Sequence, residues 1–184
     1  MVVGAFAATV YGLGRVTHDI DLIVNLKEEH IRQLAAAYIG PRYYADPIQM
    51  RDSIRLGMMF NIVDTTRGEK ADLIPLAQDQ GALMAFRRRV RQQLDFLGSD
   101  PFPIWCARAD DVIVGKLAAW LQGKSRKHES DIREMLVFHY LSSDPVQGTY
   151  LDETYVDAQS SILGPEAAQF WQALKTAARI EAGV

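Results

Sequence analysis

"GAFAATVYGLGRVTHDIDLIV", residues 4–24, sets Asp19 and Asp21 at the mouth of an apolar run that otherwise reads as a buried strand. Carboxylates rarely enter an interior unpaired, because dehydrating the charge costs on the order of several kcal/mol. The strand end is therefore either simply solvated or built to receive a cation. Strand alternation puts Asp19, Asp21, Ile23 and Asn25 on one face, with Ile20, Leu22, Val24 and Leu26 on the other. Upstream, "VVG" closes a short strand and Gly4 turns the chain into a helix reaching Tyr11. Such a turn at Gly4 and Ala5 presents free backbone N–H groups suited to a phosphate. Arg15 and Thr17 precede the acids and add a charge and a hydroxyl donor for the same phosphates.

Residues two apart on a strand share a face, so Asp19 and Asp21 aim at one point. A later strand bearing Asp72 supplies a third carboxylate. Three converging carboxylates repel one another unless a cation compensates, and hard oxygen donors favour Mg²⁺ or Mn²⁺. Two such ions serve to activate an attacking hydroxyl and to stabilise a leaving pyrophosphate. A D-x-D pair alone is a short motif that often matches by chance. Its weight here comes from the order of features: Gly turn and helix, Arg-x-Thr, D-x-D on a strand, then an acid in a later hairpin.

Further along, "KEEHIRQLAAAYIG" reads as an amphipathic helix opened by acids and closed at Gly40. "IRLGMMFNIVDTTRGEKADLIPL" reads as two strands around the turn "TTRGE". "ALMAFRRRVRQQLDFLG" is ambiguous between helix and extended chain, and "FPIWCA" is a last strand. From Asp110 the pattern becomes helical, in "DDVIVGKLAAWLQG", "HESDIREMLVFHYLSS", "GPEAAQFWQALKTAARI" and a shorter segment near "DETYVDAQSSIL". Strands first and helices afterwards imply an α+β fold. The expected organisation is a small mixed-sheet core over residues 1–108 and a helical subdomain over residues 109–184.

Composition sets outer bounds. The 184 residues are 48% apolar and 23% charged, an ordinary globular balance large enough to bury a core. A net charge of −3 gives no global attraction to nucleic acid, so any such binding needs a local patch. The lone Cys106 permits no internal disulfide, which suits a reducing cytoplasm. The opening apolar run is too short and Gly-rich to span a bilayer, and it lacks the basic leader of a signal peptide. "FRRRVR" gathers Arg87, Arg88, Arg89 and Arg91, either as a solvated basic face or as an RNA or phosphate contact. "GKSRKHES" is a second basic loop. Lys127 and Asp131 have the i,i+4 spacing of a helix salt bridge. The histidines show no metal-ligand spacing, Cys106 reads as core filler, and Trp120, Phe138, Tyr140, Phe170 and Trp171 read as helix-packing residues.

The segment "VVGAFAATVYGLGRVTHDIDLIV" resembles the opening motif of nucleotidyltransferases of the DNA polymerase β superfamily. Within that superfamily it looks like the bacterial AbiEii-type proteins, many of them toxins of toxin–antitoxin pairs. "ADLIP" supplies the family's third acid as Asp72, and Asp111, Lys116, Lys127 and Asp131 fall in the positions of a second family segment. Ala5 stands where relatives carry Gly or Ser, which removes a hydroxyl but keeps the backbone donors. The resemblance spans roughly residues 1–140. It implies that Asp19, Asp21 and Asp72 bind Mg²⁺ or Mn²⁺, and that Asp72 helps to deprotonate the acceptor hydroxyl. It further implies that Gly4 and Ala5 cradle the triphosphate of an NTP such as ATP, and that Arg15, Thr17, Lys116 and Asp131 complete the nucleotide site. The acceptor on this view is RNA (tRNA, for example), a protein or a small molecule, with an antitoxin protein as a further partner. The rival expectation is a catalytically inactive nucleotide- or partner-binding module of the same fold.

Overall fold

A computed structural model of the chain describes residues 1–15, 17–76, 80–94, 100–142 and 150–184. Seven strands form one mixed sheet, and eight helices accompany it among the described residues, giving an α+β architecture. In chain order these are β1 (Val2–Val3), α1 (Gly4–Thr9), β2 (Asp19–Val24), α2 (Glu28–Ala37), β3 (Tyr43–Tyr44), α3 (Pro47–Leu56), β4 (Phe60–Asp64) and β5 (Glu69–Pro75). There follow α4 (Gln80–Arg88), β6 (Val90–Leu94), β7 (Phe102–Cys106), α5 (Ala109–Gly123), α6 (Arg126–Leu141), α7 (Glu153–Leu163) and α8 (Pro165–Ala182).

The sheet order is β3-β4-β5-β2-β1-β7-β6. β2 runs parallel to β5 and antiparallel to β1, which itself runs parallel to β7. The hairpins β4–β5 and β6–β7 are antiparallel. Cross-strand partners share a face of the sheet, so the register sorts the side chains into two sets. Val2, Leu22, Leu73 and Cys106 lie on one face, and Asp21, Asp72 and Trp105 on the other.

The first face carries both apolar clusters. One joins Phe60, Ile62 and Leu73 to Ile31 of α2 and Met50 of α3. The larger joins Val2 and Cys106 to Ala7, Ala8, Tyr11 and Leu13 and continues through Ile113, Leu117, Ile132, Val156 and Trp171. The C-terminal helices therefore pack on the sheet through the same core as α1, and that core runs across residue 108. Trp171 and Leu117 are wholly buried within it. Trp120 stacks on Phe170 with ring centroids 3.7 Å apart, a helix-packing role as its spacing suggests.

Two local readings change. The segment "IRLGMMF" is not all strand: Ile54–Leu56 close α3, and β4 begins at Phe60. The signals of α3 were present: Asp46 caps it by accepting from the Ile48 N–H, Pro47 opens it, and Gly57 ends it in a left-handed conformation. The short apolar run masked them, because such runs do not separate strand from helix. The ambiguous "ALMAFRRRVRQQLDFLG" is both, helix to Arg88 and strand from Val90 to Leu94. Its tail, residues 95–98, lies outside the described residues. Among the described residues no helix is long and apolar enough to cross a membrane.

A core shared by sheet and helices is expected to unfold as one unit. Leu117→Ala is expected to cost about 2–5 kcal/mol. Urea transitions followed by circular dichroism and by tryptophan fluorescence should shift together and remain coincident.

Candidate active site

Five side chains from three neighbouring strands, and Thr17 just ahead of β2, meet on the face of the sheet opposite Leu22 and Leu73. In β2 and β5, Asp19 is the partner of Lys70 and Asp21 the partner of Asp72. In β4, Asn61 is the partner of Asp72 and donates its amide to Asp72 Oδ1 at 3.2 Å. Lys70 Nζ donates to Asp72 Oδ2 at 2.8 Å and lies 3.7 Å from Asp19 Oδ2. Asp72 itself is only 6% exposed. The sixth residue, Thr17, donates its hydroxyl to the Asp19 carbonyl and so ties the approach to β2 onto the strand.

Asp21 feels these neighbours. Burial pushes its carboxyl above the ordinary range, and repulsion from Asp72 and Asp19 pushes it further, against the pull of Lys70 and Lys116. Its side chain also reaches the start of α1. Gly4 has φ +67°, and a Cβ built there would sit 2.0 Å from Asp21 Oδ2. No other residue fits between β1 and α1 with the carboxylate in this place.

A second cluster links the α1–β2 connection to the C-terminal helices. Arg15 grips Asp131 with two parallel hydrogen bonds of 2.7 and 2.8 Å, and Lys116 Nζ adds a third of 2.6 Å. Burial works to raise the Asp131 carboxyl, but the bonds from Arg15 and Lys116 prevail and hold it below the usual carboxylate range. Lys116, itself buried, is pulled below the usual lysine range chiefly by desolvation. Asp131 therefore does not form the i,i+4 pair with Lys127; Arg15 and the buried Lys116, from other parts of the chain, take its oxygens. Gly14 N–H donates to Glu134, and Gly12 (φ +93°) leaves room for Phe138, so the same connection is seated on α6. His128 lies in this neighbourhood, its imidazole depressed by burial and by Lys116, with a buried Nδ1 that has no hydrogen-bond partner among the described residues.

Asp111 has a different role from its motif neighbours. Its Oδ1 accepts from Arg88 and from the Tyr155 hydroxyl, while the fully buried Asp110 accepts from Arg88 and Arg108. Burial followed by the Asp111 charge pushes the Tyr155 phenol up to about 12. Arg88 is thus an internal clamp between α4, α5 and α7, neither a solvated face nor a phosphate contact. Cys106 is buried core, its thiol pushed up to about 11 by desolvation.

The sequence positions Asp19, Asp21, Asp72, Gly4 and Ala5 thus gather at one place, and Arg15, Lys116 and Asp131 form an adjoining network. Lys70, Asn61 and His128 were missed. Lys70 was within reach of the alternation argument, standing two residues before Asp72 on the same strand face; Asn61 needed the register of β4. Among the described residues no three His, Cys, Asp or Glu side chains form a ligating cluster. The donor set nonetheless suits a hard divalent cation: three carboxylates on one face, mutually repelling, with the Lys70 ammonium now supplying the positive charge. No protein-family model and no curated protein matches the chain.

An acid raised by folding holds its proton more tightly in the native state, so stability falls as pH climbs from the unfolded range through the raised value. Asp21→Asn should remove that loss and gain on the wild type as pH climbs above the ordinary aspartate range, read as urea midpoints. Asp131→Asn leaves the buried Lys116 and the partly buried Arg15 without their counter-charge and is expected to cost about 3–5 kcal/mol in the same assay.

Proposed function

We propose that this chain is a metal-dependent nucleotidyltransferase. An acceptor hydroxyl oxygen attacks the α-phosphorus of an NTP, the bond to the β-phosphate breaks, and pyrophosphate leaves while the nucleoside monophosphate stays on the acceptor. The observation that carries this reading is the pairing of Asp21 with Asp72 on parallel strands, with Asp19 on the same face and Gly4 against Asp21. Such carboxylates repel unless a cation joins them, and the sequence resemblance gives them to Mg²⁺ or Mn²⁺. Bound there, the metal would polarise the phosphoryl oxygens and compensate the charge of the leaving pyrophosphate.

The chain's own groups do the rest. Asp72 is the acid suited to accept the acceptor's proton, and its orientation is set by Asn61 and Lys70. Arg15 and Lys116 carry positive charge toward the same region, and Asp131 holds both in position. Lys116 is close enough to act electrostatically on Asp21. The backbone at Gly4 and Ala5 adjoins the carboxylates and is the natural seat for the triphosphate. Catalysis on this reading is alignment and charge compensation. The acceptor hydroxyl belongs to RNA, such as tRNA, to a protein or to a small molecule. The resemblance also suggests a toxin held by a protein antitoxin, and a lone buried thiol suits a reducing cytoplasm.

The second reading, a nucleotide- or partner-binding module without chemistry, has one observation in its favour. Lys70 already neutralises Asp72 at 2.8 Å, so a metal must displace it.

Incubation with each labelled NTP, Mg²⁺ and total RNA separates the two. Label should pass to RNA and fall by about 100-fold or more in Asp21→Ala. Mg·NTP binding without transfer to any acceptor makes the chain a binding module, and RNA shortening without label makes it a nuclease.

A further inference from the structure

Beyond the carboxylates, the same sheet face carries a second feature that the proposed chemistry leaves unused. Trp105 in β7 is 46% exposed, although an indole is among the costliest groups to leave in water. It is the cross-strand partner of Arg91 in β6, whose guanidinium lies 5.5 Å from the ring centroid. Arg89 lies 4.9 Å from the same ring and 4.2 Å from the ring of Phe86, and it donates to the Phe86 carbonyl. Among the described residues no carboxylate pairs with Arg89 or Arg91. In a chain of net charge −3 that pairs most of its other arginines, two cations left beside an exposed indole are a local reversal of sign. The next rung, Gln93 opposite Pro103, is also exposed, so the feature runs along the edge hairpin.

Its placement follows from the register. Val2 pairs with Cys106 and Val3 with Asp21, so Trp105 alternates onto the face of Asp21 and Asp72. β7 is separated from β2 by β1 alone. Two strand spacings across and two residues along give a separation of roughly 12 Å.

We infer that Trp105, Arg89 and Arg91 form a platform for an unpaired stretch of RNA, a base stacking on the indole and the arginines meeting the flanking phosphates. Stacking needs only a π-face and arginine charge needs only a phosphate, so the platform is tolerant of base sequence. A duplex keeps its bases stacked inside and cannot use the indole. This assignment rests on the transfer reading for its biological meaning, since the strand it holds would be the acceptor brought toward Asp21 from the β6 edge. The bond-making step remains that of the carboxylate site.

The test is fluorescence anisotropy with a labelled single-stranded oligouridine and a duplex RNA of the same length, with neither NTP nor divalent ion present. The single strand should bind more tightly than the duplex. Trp105→Ala should weaken it roughly tenfold, and Trp105→Phe should retain most of the affinity. Arg91→Gln should lower the slope of log affinity against log salt by about 0.7. Single-strand affinity unchanged in Trp105→Ala and Arg91→Gln, or a duplex bound as tightly as the single strand, would overturn the platform. So would sedimentation showing a dimer that Trp105→Ala dissociates, because the face would then belong to a second copy. Because the measurement contains no nucleotide, its failure leaves the transfer reading standing. Trp105-dependent RNA binding by a chain that neither binds nor transfers NTP supports the platform and removes the transferase.

Discussion

The structure depends on one juxtaposition, the parallel pairing of β2 with β5 in the register that sets Asp21 beside Asp72. Two carboxylates on adjacent strands, with Asp19 two residues away, form an electrostatically unfavourable arrangement. Lys70 and the Asn61 amide offset part of it, and Asp21, raised first by burial and then by the neighbouring carboxylates, holds its proton more tightly. An apolar pair at this rung would avoid the repulsion, so two acids here, Asp72 buried and Asp21 partly buried, are a cost to folding. That cost is intelligible if a cation and an anionic ligand belong between the carboxylates and the start of α1.

The helices are arranged around that centre. Both buried apolar clusters are built on the opposite face of the sheet, where α2 and α3 cover one side and the large cluster of α1 and α5 to α8 covers the other. The C-terminal helices are therefore fixed relative to the carboxylates by a continuous core, and the Arg15–Asp131–Lys116 network ties the connection before β2 to α5 and α6. Arg88, gripping Asp110 and Asp111, does the same for α4. Charged residues that look alike in sequence thus divide into internal clamps and surface groups according to whether a buried partner lies opposite. Arg88 and Arg91 are three residues apart and have opposite fates, because one ends a helix beside α5 and the other faces outward from an edge strand.

Much of this was legible in the chain. Alternation in "HDIDLIV" placed Asp19 and Asp21 on one strand face, the Gly4 turn located the strand-to-helix junction, and the helical periodicity after Asp110 located four helices. These are properties of neighbouring residues, and a repeat of two or of 3.6 residues is written directly into the order of the side chains. The α3 helix was missed for a local reason, an apolar run that overrode a cap and a proline.

What only the tertiary structure decided is which distant residues stand opposite one another. Nothing in the local pattern says that β2 lies beside β5 with Asp21 level with Asp72, that Asp131 prefers Arg15 and Lys116 to Lys127, or that Trp105 faces water on the side of the acids. Register, burial and partner choice are settled by how whole faces pack, and the energy that settles them is shared among residues far apart in the chain. The sequence alone determined most of the elements and named the three acids; folding determined that two of them meet across a strand pair and what surrounds them.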